Sequence, residues 1–192
     1  MFFSVPGETY VRGGYEERDP GNTKVAAAFL SEMLSCPVME IVPKERYPRD
    51  YKGQVERAKK EWEGALRPEL ETCPDVSAYD DVYLCYPNWC GTIPMAVATF
   101  LESNAWAGKK IHPLCTNEGS GMGSSESAIS GSAPKAALCP GLSVCGTDVR
   151  ECHPLLKEWI SRGVCRASIP LSSRNCALIS CWNDHDDGNV WP

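Results

Sequence analysis

Residues 82–86 read Val-Tyr-Leu-Cys-Tyr, and this unbroken apolar and aromatic run constrains the fold of the chain more than any other stretch. A strand with one wet face alternates polar and apolar residues, whereas an unbroken run needs cover on both faces, as in a parallel sheet flanked by helices. The surrounding periodicities supply that cover. Residues 22–34 place Val25, Ala28, Phe29 and Met33 at helical spacing, with Asn22 or Thr23 suited to the N-cap. Residues 38–42 read as a short strand closed by Pro43, and residues 51–65 as a polar helix carrying Val55, Ala58 and Trp62. A helix follows over 95–103 and a strand over 110–116, in which Pro113 implies an edge position or an irregularity. Residues 142–145 form the last strand, and 148–162 a helix with Leu155, Leu156, Trp159 and Ile160. The first three residues are an apolar stub ended by Ser4-Val5-Pro6-Gly7. The pattern predicts an α/β fold: a three-layer, doubly wound, five-stranded parallel sheet whose first strand is short.

Composition narrows the function. The chain has 192 residues, 25 Asp and Glu against 19 Lys and Arg, and a formal charge of −6, which argues against nucleic acid or an anionic membrane surface as partner. No apolar run reaches the roughly 18–20 residues of a membrane-spanning helix, and the start lacks the basic region of a secretory signal. The 11 cysteines are odd in number and irregularly spaced, and none forms Cys-x-x-Cys. They read as reduced thiols in a cytoplasmic protein rather than as disulfides or metal ligands. His185 sits among carboxylates near the C-terminus, a pattern read as a solvated end rather than a metal site.

In doubly wound sheets ligands bind beyond the carboxyl ends of the strands, where the winding reverses. That directs attention to the loops after the first, third and fourth strands. The first holds Ser4 and then Gly21-Asn22-Thr23 opening a helix, where small polar side chains and free N–H groups suit an anion; an ordinary helix cap has the same composition. The second is Tyr86-Pro87-Asn88-Trp89-Cys90-Gly91-Thr92-Ile93-Pro94, a stiff aromatic platform for a flat ligand, or a Trp that packs its own loop onto the domain. The third, Thr116-Asn117-Glu118-Gly119-Ser120-Gly121-Met122-Gly123, offers backbone donors and acceptors to a ring edge, or is a flexible surface loop. Its glycines miss the Gly-x-Gly-x-x-Gly spacing, which disfavours an NAD fingerprint. A phosphate pocket, an aromatic wall and a polar clamp at one end of one sheet fit FMN.

These three stretches resemble the flavodoxin-like family, nearest to the bacterial branch whose second loop reads Tyr-Pro-x-Trp-Trp-Gly-Thr-x-Pro. Smaller matches are Tyr47-Pro48…Tyr51, Glu56-Arg57-Ala58-Lys59 and Arg67-Pro68-Glu69-Leu70. The similarity covers residues 1–162. It implies strand order 2-1-3-4-5 and noncovalent FMN, in a domain over 1–164 followed by a tail over 165–192. Cofactor contacts are expected from Ser4, Gly21, Asn22 and Thr23, from Pro87, Asn88, Trp89, Cys90 and Gly91, and from Thr116, Glu118, Gly119, Ser120 and Gly121. The phosphate would lie against Ser4, Asn22, Thr23 and the amides around Gly21. Trp89 would cover one ring face, and backbone groups of Asn88, Gly91 and Gly119 to Gly121 would meet the ring edges.

Three features depart from the branch. Few residues precede Ser4, so either the true start lies upstream or the central strand is shortened. Residues 5–20 are an insert, read as a flap with Tyr10 or Tyr15 over the ring or as a disordered loop. Cys90 replaces the second Trp. No side chain demands an acid–base role: His112 and His153 read as structural, and Cys85, Cys90 and Cys115 lack an activating partner. The expected function is electron transfer by an FMN protein, with a redox partner protein or a small-molecule acceptor. An NAD(P)H-dependent reductase of quinones or similar acceptors and a flavin-free binding module are the alternatives.

Overall fold

The apolar run lies in the strand Asp81–Pro87, at the centre of a parallel sheet with helices on both faces. The computed structural model describes residues 2–163 and 176–179. Along the chain come β1 (Gly7–Val11), β2 (Gly14–Arg18), α1 (Asn22–Leu34), β3 (Val42–Pro43), α2 (Tyr51–Glu63), β4 (Leu70–Thr72), β5 (Asp81–Pro87), α3 (Met95–Glu102), β6 (Lys110–Asn117), α4 (Ser125–Ser132), β7 (Ala137–Leu138) and β8 (Leu142–Cys145). A 3-10 turn (Val149–Glu151), α5 (His153–Gly163) and β9 (Cys176–Ile179) complete the order. His185 lies outside the described residues.

Strand β5 divides two cores by simple alternation. Val82, Leu84 and Tyr86 join Ala58, Ala96, Phe100, Leu101 and Ile129 under α2, α3 and α4. Tyr83 and Cys85 join Ala26, Ala27 and Leu30 of α1 with Val149, Leu156 and Trp159 on the opposite face. Both faces of the run are therefore dry, as its composition requires.

The hydrogen-bonded path is β7–β6–β5–β9, with β8 also on β6, and all these pairs are parallel. Of the expected order 2-1-3-4-5, the last three neighbours are present as β5, β6 and the β7/β8 flank. That flank is split: β7 pairs with Lys110 and Ile111, and β8 with Leu114 to Asn117. Pro113, which has no N–H to donate, lies between the two pairings, so the irregularity expected at this proline is the break in its neighbour.

Two sequence expectations change on the other side of β5. No strand occupies residues 2–6, and the place beside β5 is taken by β9, with Asp81 opposite Cys176 and Leu84 opposite Ile179. Residues 176–179, within the segment read as a tail, thus pair with the main sheet. Residues 38–42 do not form a continuous strand: Val38 makes a single bridge, and Val42 and Pro43 pair antiparallel with β4.

The insert, read as a flap or as a disordered loop, is an ordered β-hairpin, β1 against β2, closed by Arg12 and Gly13. Both have positive φ, 44° and 92°, the geometry a two-residue hairpin turn needs. The signal is Val11-Arg12-Gly13-Gly14-Tyr15, a glycine-containing turn, Arg12-Gly13, between strand-forming residues.

Candidate functional site

At the carboxyl end of the sheet the three loops are joined by direct hydrogen bonds. Thr23 Oγ1 and Thr116 Oγ1 are 2.8 Å apart, linking the start of α1 to the end of β6. The Asn88 amide donates to the Thr116 carbonyl at 3.0 Å, and Asn88 Nδ2 donates to the Gly121 carbonyl and to Ser120 Oγ, each at 3.0 Å. Asn22, Asn88 and Gly121 therefore belong to one connected cluster.

The two polar helix starts contrast. In α2 the Asp50 carboxylate caps the N-terminus by accepting from the Gly53 amide at 2.8 Å. In α1 the cap is Gly21, no side chain bonds the first amides, and the first turn holds no acid. Its positive end thus has no side-chain cap and no acid in its first turn. Asn22 is 1% exposed, yet its Nδ2 has no hydrogen-bond partner, and the same is true of Ser4 Oγ and of Asn88 Oδ1, on a side chain 2% exposed. A dry polar atom without a partner costs about 1–3 kcal/mol, and these three sit in the first and second loops. Beside Ser4 and Gly21 opens a cavity of about 380 Å³, lined further out by Lys24, Arg46 and Arg49. It borders the first loop and none of the residues of the second or third.

The second loop is a tight turn. Trp89 and Thr92 exchange backbone hydrogen bonds at 3.0 and 2.9 Å, with Cys90 (φ 52°) and Gly91 (φ 71°) at the bend. Trp89 is 3% exposed and lies edge-on to Phe3 and Tyr47, at 6.1 and 4.8 Å between ring centroids. It packs its loop onto the domain, the second of the two roles open to it. Tyr47 is itself held by the buried Glu61 carboxylate at 2.6 Å and by the Arg57 guanidinium over its ring.

The third loop is bound to itself and to its neighbours. The Gly91 carbonyl accepts from the Ser124 amide at 2.7 Å, and a Cβ at Gly123 (φ 53°) would stand 2.2 Å from that oxygen, so only glycine fits there. Asn117 Oδ1 accepts from the amides of both Gly119 (3.0 Å) and Gly121 (2.9 Å). The donors that the sequence offered to a ring edge are thus engaged inside the loop. Asn117 was missed as a site residue; an Asn between a strand and a glycine-rich turn is its signal, because its short amide mimics a backbone turn. Glu118 is a brace as well: its carboxylate accepts from the Thr147 amide and hydroxyl at 2.5 Å, tying the loop to the chain beyond β8. Gly91, Gly119 and Ser120 remain exposed at the rim, and Pro87 is buried at the end of β5.

The other candidates are structural. His112 Nε2 is 2.7 Å from Asp81 Oδ1, and its ring stacks on Tyr83. Burial pushes the Cys115 thiol far above its ordinary value, keeping it protonated and unreactive. No cluster of metal-binding side chains occurs among the described residues.

A model of the flavodoxin family matches residues 18–162, most of the described chain. The chain belongs to the flavodoxin family. No curated protein matches it. Among solved structures it is similar to a protein of Bacteroides uniformis, provisionally described as a flavoprotein, with 24% identity over 83% of this chain and 94% of that one and a TM-score of 0.67. A second such protein, from Bacteroides eggerthii, has 22% identity over 81% of this chain and 94% of that one, with a TM-score of 0.61. Both show that the flavodoxin fold survives at low identity. The family match begins at residue 18, so the β1–β2 hairpin, apart from its last residue, lies outside it.

Proposed function

We propose that this flavodoxin-family chain binds FMN at the carboxyl end of its sheet and works in electron transfer. The observation that carries the reading is the set of buried, unpartnered atoms, Ser4 Oγ, Asn22 Nδ2 and Asn88 Oδ1, beside the uncapped start of α1. A phosphate and a polyhydroxy chain would satisfy such groups, so the residues present fit the cofactor. Ser4, Asn22, Thr23 and the first amides of α1 would hold the phosphate, with Lys24 lending positive charge from the adjoining cavity. Asn88 would use the oxygen that its contacts to Ser120 and Gly121 leave open. Trp89 braces the second loop, and ring-edge contacts fall to the exposed Gly91, Gly119 and Ser120. When bound, FMN supplies one- and two-electron redox chemistry; the chain's part is to hold it, orient it and limit its exposure.

The same reading takes the sheet order as 2-1-3-4-5, with β9 in the first-strand place. It sets the protein in the cytoplasm, which suits the eight cysteines in the thiol form among the described residues. Among the described residues no helix is long and apolar enough to cross a membrane. Its partner is a redox protein or a small acceptor.

The visible spectrum after purification and FMN reconstitution tests the reading. Flavin bands that co-elute with the protein are expected, and a colourless protein that takes up no FMN would overturn it. Steady-state NADH or NADPH oxidation then separates carrier from reductase, since a carrier turns over only with an added reductase.

A further inference from the structure

The β1–β2 hairpin spans the carboxyl end of the sheet. Its base is seated on the approach to α2: the Glu8 amide donates to the Arg49 carbonyl at 2.7 Å, and the Glu8 carboxylate accepts from the Tyr51 amide at 3.1 Å. A Cβ at Gly7 would stand 2.2 Å from the Arg49 carbonyl oxygen, so the contact is close. Its tip reaches the opposite flank, where Arg12 Nη2 meets Asp148 Oδ1 at 2.5 Å just beyond β8. Asp148 adjoins Thr147, which is bonded to Glu118 of the third loop. The strap therefore passes from the α2 side of the sheet to the β8 side, across the end where the three loops meet.

Its two faces differ. Tyr10 and Tyr15 pack together across the strands, and Tyr15 also meets Tyr51. They lie on the outer side, with Tyr15 largely exposed. The inner side carries Gly7, Thr9 and Val11, all buried. Thr9 is 0% exposed, and its hydroxyl has no hydrogen-bond partner. Only five side-chain atoms share that condition among the described residues, and three of the other four belong to Ser4, Asn22 and Asn88. A hydroxyl kept dry and unsatisfied on the inner face of a strap has a physical reason if a ligand completes it.

We propose that the hairpin is a clasp over the FMN site, with the Thr9 hydroxyl a hydrogen-bonding contact to the bound nucleotide and the Arg12–Asp148 pair the latch. The proposal rests on the flavin reading above. The latch is exposed, with side-chain exposures of 67% and 52%, so it tunes opening rather than stability.

Three measurements on the full-length protein decide it: FMN affinity by flavin fluorescence quenching, the unfolding midpoint of the apoprotein, and the FMN dissociation rate. Thr9→Val, nearly isosteric, is expected to weaken FMN about three- to ten-fold. It should leave the apoprotein midpoint unchanged or higher, because it removes an unsatisfied hydroxyl. Arg12→Ala is expected to speed FMN dissociation about two- to three-fold at low salt, with the difference fading near 0.5 M salt as the pair is screened. Wild-type FMN binding with unchanged Thr9→Val affinity overturns the clasp and leaves the flavin reading standing. A Thr9→Val variant that loses affinity together with apoprotein stability overturns it too, since Thr9 is then structural. An Arg12→Ala dissociation rate equal to wild type removes the latch. Failure of the wild type to bind FMN removes both readings.

Discussion

Asn117 shows how one buried side chain organises a loop. Its oxygen holds the amides of Gly119 and Gly121, and its Nδ2 donates to Ser143 Oγ at 2.7 Å, so it joins the third loop to β8. Asn117→Ala strands two backbone donors and a hydroxyl. It is expected to cost about 1–3 kcal/mol in denaturant unfolding. The thiols give a second check. Cys73 and Cys145 are exposed, whereas Cys36, Cys85, Cys115, Cys139 and Cys152 are buried. Mass spectrometry after brief alkylation of the native protein should find the first two labelled and the buried five spared. Burial raises Cys152 from 9.0 to about 11 and raises Cys115 as well. The folded state then keeps protons that the unfolded state loses above about pH 9, so these thiols favour folding below that pH and the benefit declines as pH climbs toward 11. An unfolding midpoint that fails to fall between pH 9 and 11 would contradict the burial. None of this burial was readable from cysteine spacing, because spacing carries no information on which face a thiol occupies.

The helices and inner strands were legible because each carries its own period. Residues 22–34 form α1, capped by Gly21 rather than by the expected Asn22 or Thr23, and the run 82–86 lies inside β5. The hairpin beyond its Arg12-Gly13 turn signal, and β9 altogether, were not legible, for different reasons. The hairpin is short and largely polar on β2, so its register depends on the Arg12–Gly13 turn and on the seat offered by Arg49. Strand β9 is far along the chain from its partner, and no local pattern says which distant edge a strand will join. Its place beside β5 yields a prediction. Ala177→Pro and Leu178→Pro each replace a residue in the β9–β5 register, Ala177 opposite Val82 and Leu178 opposite Tyr83. Because proline has no N–H, the variant whose amide points at β5 should lose about 1–3 kcal/mol in denaturant unfolding, and the other less. If neither moves the midpoint, β9 adds nothing to the sheet.

Taken as one body, the molecule has a formal charge of −6. A negative surround opposes adding negative charge to a bound flavin, so the hydroquinone-forming couple should lie below that of free FMN, and the gap should narrow as salt rises. Redox titration checks this; a couple clearly above free FMN would refute it. The family could be read from residues because its motifs depend on local chemistry: apolar period, helix-start composition and glycine spacing. The roles of Trp89, Gly119 and Gly121 could not, because whether an indole is a wall or a brace, and whether an amide is free or engaged, depends on neighbours brought from elsewhere. Trp89 is buried by Phe3 and Tyr47, and Asn117 engages both glycine amides. Periodicity settles which segments are strands and helices; packing alone settles which polar atoms are left without a partner, since burial and hydrogen-bond satisfaction are properties of the assembled chain.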